Sequence, residues 1–197
     1  MPSDGKRDAG RTAGGLYARL AGGAWAELSE PVRRLHEGTT TVRGSGRFDV
    51  RHGKGWAAPL LTRLAGMPAA GDRVPVSLVV TPGRDGTEEW SRNFGGRPFV
   101  TLQRAHPRGL MAERVGPVEV LYRIESDGGA LVYRPERAAL CAGPLRVPVP
   151  LALAPRIEAR EWAEPGDPRV RVRVRVRAPL VGLLITYEGS IELESAP

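Results

Sequence analysis

Three charged residues interrupt faces that are otherwise apolar. Arg92 lies between Trp90 and Phe94 in a strand-like alternation, Glu113 lies between Met111 and Val115, and Glu161 follows Ile157 and Ala159 in phase. An ionised group turned into an apolar interior must be paired, or must meet water or a ligand, because stranding it there is costly. Two chemistries suit the pattern. One is a buried bridge, Arg92–Glu113 or Arg92–Glu161, which serves the fold alone. The other is an arginine clamp for a ligand carboxylate or phosphate, with a glutamate as second partner and Trp90, Tyr122 and Tyr187 as walls. Arg47 is an alternative arginine for the anionic end of such a ligand.

Other reactive side chains point to less. Paired carboxylates can do acid–base work, but no spacing marks a pair. Cys141 has no base nearby and precedes a proline-rich stretch, so it reads as a packed or surface thiol rather than a nucleophile. His36 ends a helical segment and reads as its C-terminal cap, while His52 and His106 fall in turns beside basic residues. The histidines are far apart and none is near the lone cysteine, which leaves no metal cluster and no disulfide framework. Phosphate-binding, nucleophile-elbow and dinucleotide fingerprints are missing. No catalytic residue, metal or cofactor is assigned.

The 197 residues carry 29 Lys+Arg against 22 Asp+Glu, and only Lys6 and Lys54 among the cations are lysines. A basic excess raises the question of a polyanion partner. Its densest piece is Arg169, Arg171, Arg173, Arg175 and Arg177, alternating with Val170, Val172, Val174 and Val176. That is a strand with its guanidinium groups about 6.8 Å apart on one face. The following strand carries Glu188, Glu192 and Glu194 on one face. A hairpin through Ala178–Leu183 sets Arg173 opposite Glu188 and Arg169 opposite Glu192, or Arg175 and Arg171 opposite them in a register shifted by two. The ladder also lacks the interleaved aromatics of single-strand binding sites. Nucleic acid is set aside on that ground.

These residues need elements to hold them. Leu16, Leu20, Ala24 and Leu28 recur at helical spacing, weakened by Gly22-Gly23, and Ser29 with Pro31 opens a second short helix that Gly38 stops. Trp56, Leu60, Leu61 and Leu64 make a further amphipathic helix. Elsewhere the period is two. Phe48 and Val50 oppose Arg47, Asp49 and Arg51, with a bend or bulge expected at Gly44 and Gly46. Val74 to Val80, Trp90 to Phe94, Phe99 to Arg104, Met111 to Val115 and Val118 to Ile124 alternate in turn, and Asp127-Gly128-Gly129 closes a hairpin. The prolines of Cys141–Pro155 mark an edge or covering segment, before three closing strands.

About nine or ten short strands with helices at the front predict a mainly β (α+β) architecture. The expected form is an antiparallel curved sheet or β-barrel, lipocalin-like in general shape, with N-terminal helices packed on it. Residues 1–13 read as a disordered tail and 14–194 as one barrel-like domain. No apolar stretch is long enough to span a bilayer and no secretory signal is recognised, so the reading is a cytoplasmic protein.

Several phrases together resemble the bacterial family called domain of unknown function 4166. They are Leu16-Tyr17-Ala18-Arg19-Leu20 through Trp25 and Leu35-His36, then Gly46-Arg47-Phe48-Asp49-Val50, then Trp90-x-Arg92-x-Phe94-Gly95-Gly96. Glu113-Arg114-x-Gly116-Pro117 and Pro179-Leu180-Val181-Gly182-Leu183-Leu184-x-x-Tyr187-x-Gly189 complete the set. The resemblance would run from Gly15 to Leu193. It implies an accessory module and no reaction.

The leading expectation is non-enzymatic binding of a small apolar or amphipathic ligand inside the barrel. An interior filled by side chains, without a cavity of a few hundred Å³, would sink it. Two alternatives stand beside it. One is a protein–protein or membrane-surface interaction module accessory to an enzyme, using an exposed Pro179–Leu184 turn. The other is an enzyme using the Arg/Glu pocket.

Overall fold

Alternating apolar residues dominate most of the chain, and in the computed structural model they face one interior. The structure describes residues 14–150 and 152–194, so the expected tail at 1–13 lies outside the described residues. The chain begins with α1 (Leu16–Ala21), a 3₁₀ turn (Gly22–Glu27) and α2 (Glu30–Leu35). The Gly22-Gly23 pair that weakens the helical pattern is where α-helix gives way to the tighter turn. Ser29 stands at the N-cap position of α2 without a side-chain cap bond; its backbone N–H donates to Gly129 O at 2.9 Å.

Strand β1 (Val42–His52) leads to α3 (Ala57–Leu64) and then to β2 (Gly71–Pro82), β3 (Glu88–Phe94), β4 (Arg97–His106) and β5 (Leu110–Val115). After these come β6 (Val118–Asp127), β7 (Ala130–Ala142), β8 (Leu145–Val149), β9 (Arg156–Trp162), β10 (Val170–Ala178) and β11 (Gly182–Leu193). All pairings are antiparallel. The order β6-β5-β4-β3-β2-β1-β11-β10-β9-β7 returns to β6, closing a ten-stranded barrel. The first part of β7 pairs with β9 and its last part with β8, so β8 lies outside the ring as an edge strand. Pro148 sits on that edge, where a missing N–H costs least.

The ends of the barrel differ. Helices α1 and α2 plug one end, with α1 against β4 and β6 and α2 against β9 and β10. Leu16, Tyr17, Val32 and Leu35 are buried there. At the other end, α3 packs on β1 and β11, but with its apolar stripe reversed. Trp56 is 83% exposed and Leu64 74%, Leu60 and Leu61 are also exposed, and Ala58 and Thr62 face the barrel. The backbone at Gly53 and Leu183 approaches closely here. Only a small residue such as Ala58, with Thr62 returning its hydroxyl to Ala58 O at 2.9 Å, fits beneath the helix.

Gly44 and Gly46 pair regularly on both sides, and the β1 irregularity falls between Phe48 and Val50 instead. The glycines serve close approach: a Cβ at Gly46 would overlap Ser190 O. The ladder takes the first of the two expected registers, with Arg173 opposite Glu188 and a bidentate contact of 2.8 Å for each bond. Arg169 turns to Asp167 rather than Glu192, because the tight turn before β10 brings that carboxylate within two residues. Arg171 meets Glu164 and Arg175 meets Glu158.

Candidate functional site

Near the plug, side chains from helices and walls form one connected polar chain. Gln103 Nε2 on β4 donates to Glu113 Oε1 on β5 at 3.0 Å, and Tyr17 of α1 donates its hydroxyl proton to Gln103 Oε1 at 2.7 Å. The hydroxyls of Tyr17 and Tyr133 lie 3.0 Å apart, and Tyr133 also reaches Glu161 Oε1 at 3.1 Å. Glu161 Oε2 meets His36 Nε2 at 2.5 Å. Networks of this kind fix one arrangement of the elements that contribute to them, although His36 Nδ1 is buried without a partner.

The electrostatics follow from burial. Desolvation pushes Tyr17, Tyr122 and Tyr133 well above the usual phenol range, reinforced by nearby glutamates, and pushes Tyr187 up to about 12. Burial works to raise Glu161 as well, but His36, Arg92 and the Tyr133 hydroxyl outweigh it and hold the carboxyl below its ordinary value. Glu88 has no comparable compensation. Burial raises it, although His36 and the Trp90 indole N–H, which donates to Glu88 Oε2 at 3.2 Å, oppose the shift.

Between this chain and the end near α3 lies a cavity of about 90 Å³. Arg92, Glu113, Tyr122, Glu161 and Tyr187 all line it, together with Thr101 and Gln103. Five residues singled out by their positions on apolar faces are thus brought to one place. Trp90 is buried behind them. Arg47 is on the outer surface, donating to Arg73 O at 3.4 Å. Strict alternation along β1 sends Phe48 and Val50 inward and therefore position 47 outward, which removes Arg47 from an interior site.

Neither sequence-predicted bridge forms. Among the described residues Arg92 makes no ion pair. Its guanidinium donates to Thr101 Oγ1 at 3.2 Å and lies over the rings of Trp90, at 4.8 Å from the centroid, and Phe99, at 5.8 Å. Glu113 and Glu161 are engaged by Gln103, His36 and Tyr133 instead. The cavity is also well short of a few hundred Å³, because Phe48, Trp90, Phe94 and Met111 fill much of the interior. A whole amphipathic ligand does not fit this volume, whereas a small polar head does.

Sequence reasoning missed His36, Tyr17, Gln103 and Tyr133. His36 does hold the C-cap position of α2, but its ring is fully buried and bonded to Glu161 rather than to the last carbonyls. Thr101 and Gln103 are in phase with inward Phe99, a signal that was available. Tyr17 and His36 belong to helices whose meeting with β7 and β9 is tertiary.

Comparison with known proteins shows the family and adds no activity. The model of the family described as Domain of unknown function (DUF4166) matches residues 28–191. The helical phrase Leu16–Trp25 precedes that match. A protein of unknown function from the DUF3598 family of Nostoc punctiforme is similar in structure, with 15% identity and a TM-score of 0.43 over 78% of this chain and 46% of that one. This chain therefore spans less than half the length of that protein. No curated protein matches the sequence.

Proposed function

Since the chain belongs to DUF4166, a domain of unknown function, we infer its role from the barrel interior: non-enzymatic binding of a small ligand through an anionic head. Arg92 takes a carboxylate or comparable anion. Glu113, with one oxygen held by Gln103, accepts from a hydroxyl or ammonium on the same ligand. Phe99, Tyr122 and Tyr187 contact its apolar part, which leaves the cavity past Met67 and Pro68 if it is longer than a few atoms.

One observation carries this reading. An arginine lining an interior cavity spends a single side-chain donor on Thr101 and has no carboxylate within ion-pair distance among the described residues, Glu161 feeling its charge only from farther off, so its remaining N–H groups are open to an acceptor. The stacking on Trp90 and Phe99 preorganises the guanidinium for that acceptor.

The reading is tested by calorimetric titration with benzoate and hexanoate against benzamide and hexanol. Carboxylates should bind and their neutral analogues should not. Arg92→Leu should weaken carboxylate binding by roughly tenfold or more, the scale of one charge-assisted contact. Equal binding to Arg92→Leu, or none to the wild type, would overturn it.

A further inference from the structure

The end of the barrel around α3 combines two surface features that the interior site does not use. The first is apolar. Trp56, Leu60 and Leu64 project from α3, and Leu180 at the tip of the β10–β11 turn is entirely exposed. This places the Pro179–Leu184 segment, in part, on the surface. Leu180 also has φ of 66°, a left-handed conformation that glycine or asparagine adopts more cheaply. Holding a leucine there, with its side chain in solvent, stores backbone strain to present an apolar group.

The second feature is charge. Lys54, Arg63, Arg97, Arg114, Arg156 and Arg177 ring the same end, all exposed, and none makes an ion pair among the described residues. Residues 53–71, 94–100, 114–118 and 177–187 contain no aspartate or glutamate. Asp72, the nearest carboxylate on β2, is taken by Arg51, and Asp49 accepts from the Arg73 backbone N–H. Carboxylates gather instead around the plugged end, at Glu30, Glu37, Asp85, Asp127 and Asp167. Between α3 and the β3–β4 turn, Arg63 and Arg97 face a groove of about 320 Å³, which shares Met67 and Pro68 with the inner cavity.

We propose that this end docks on an anionic phospholipid surface. Trp56, Leu60, Leu64 and Leu180 enter the interfacial layer while the ring of unpaired cations meets the headgroups, with a lipid phosphate seated between Arg63 and Arg97. A short helix that turns Leu60 and Leu64 outward, with Trp56 at its N-cap and Lys54 and Arg63 beside it, presents the apolar groups and cationic flank of an interfacial anchor. The apolar groups come from two elements, α3 and the β10–β11 turn, which suits a fluid layer that moulds around them. The unpaired cations supply the complement to negative lipid. Docking does not depend on an occupied interior, although it would turn the opening beside Met67 and Pro68 toward the membrane.

The test is flotation of the full chain with vesicles of phosphatidylcholine alone and of equimolar phosphatidylcholine and phosphatidylglycerol. The chain should float with the anionic vesicles and remain behind with the neutral ones, and added salt should release it. The double variants Trp56→Ser/Leu60→Ser and Arg63→Gln/Arg97→Gln should each lose most of the bound fraction. Leu180→Gly relieves the left-handed strain, so it should lower flotation while leaving thermal stability equal or higher, which separates loss of docking from loss of fold. Arg92→Leu should float like the wild type, so failure of the interior-ligand reading would leave this result standing. No flotation with anionic vesicles overturns the proposal, as does unchanged flotation of the Trp56→Ser/Leu60→Ser variant. A concentration-dependent dimer without flotation, lost in that variant, would assign the surface to a second copy of the chain and overturn it equally.

Discussion

His36 Nε2 and Glu161 Oε2 lie 2.5 Å apart with the histidine ring fully buried, and this contact fastens the helical plug to the barrel wall. The pair joins α2 to β9, residues 125 positions apart in sequence. Through Tyr133 and Tyr17 it extends to α1 and β4. Removing one member of such a pair strands the other in a dry environment.

Glu161→Leu should therefore destabilise the fold by about 3 kcal/mol or more, measured by urea unfolding near neutral pH. Glu161→Gln should cost less, since its amide oxygen still accepts from His36 or from Tyr133. The pH dependence has a defined sign. Glu161 is held below its ordinary value, so its stabilisation is full above the unfolded carboxyl pKa of about 4.3 and fades as pH falls through the lower folded value. The acid limb of the stability profile should flatten in Glu161→Gln, and an unchanged limb would count against the pair's role.

All four tyrosines have raised pKa values, Tyr187 at about 12. A raised folded value favours the fold fully below the unfolded phenol pKa of about 10, and that advantage is lost as pH climbs through the folded value. Tyrosinate absorbance should stay near zero at about pH 10 while circular dichroism remains native, then rise together with unfolding. Half-ionisation at about pH 10 in a native protein would falsify the buried placement of these hydroxyls.

Gly189→Ala should be among the most damaging single-methyl changes. A Cβ there would lie 2.6 Å from Phe48 Cγ and overlap Arg47 O. Overpacking of this kind costs about 1–3 kcal/mol, readable as a lowered urea midpoint. Gly96→Ala is the comparison that separates space from backbone: nothing lies within 4 Å of its Cβ, although φ of 92° imposes strain of its own. If the strand glycine proves as tolerant as an ordinary surface site, β1 and β11 are not as close as described.

Glu188→Ala, by contrast, should change stability by no more than about 1 kcal/mol, and less at high salt, because Arg173 and Glu188 are about half exposed. The paired part of the ladder, Arg169 to Arg175, should contribute no nucleic-acid affinity. Any shift of a labelled DNA oligomer at low salt should therefore be unchanged by Arg171→Gln with Arg173→Gln, and a shift abolished by that pair would restore the polyanion reading.

Much of the architecture is written in local periodicity. Alternating valines and arginines made β10 legible, the acidic face of β11 anticipated the Arg173–Glu188 pairing, and the prolines after Cys141 marked β8 as an edge. Arg92, Glu113 and Glu161 were legible as interior charges for the same reason: period two assigns a face to each residue.

Pattern alone does not say which faces meet. The stripe of α3 showed that the helix was amphipathic, yet its apolar side turns outward, because the close backbone at Gly53 and Leu183 admits only Ala58 and Thr62. Similarly, three inward charges were recognisable, but their partners depended on how the plug seats. His36 and Tyr133 reach Glu161, Gln103 holds Glu113, and Arg92 is left to Thr101 and two aromatic rings. The sequence by itself determined strand alternation, most element positions and the sign of each interior charge, because these depend on neighbours a few residues away. Tertiary structure decided barrel closure, cavity size and the pairing of those charges, because each depends on groups that only the closed ring brings within bonding distance.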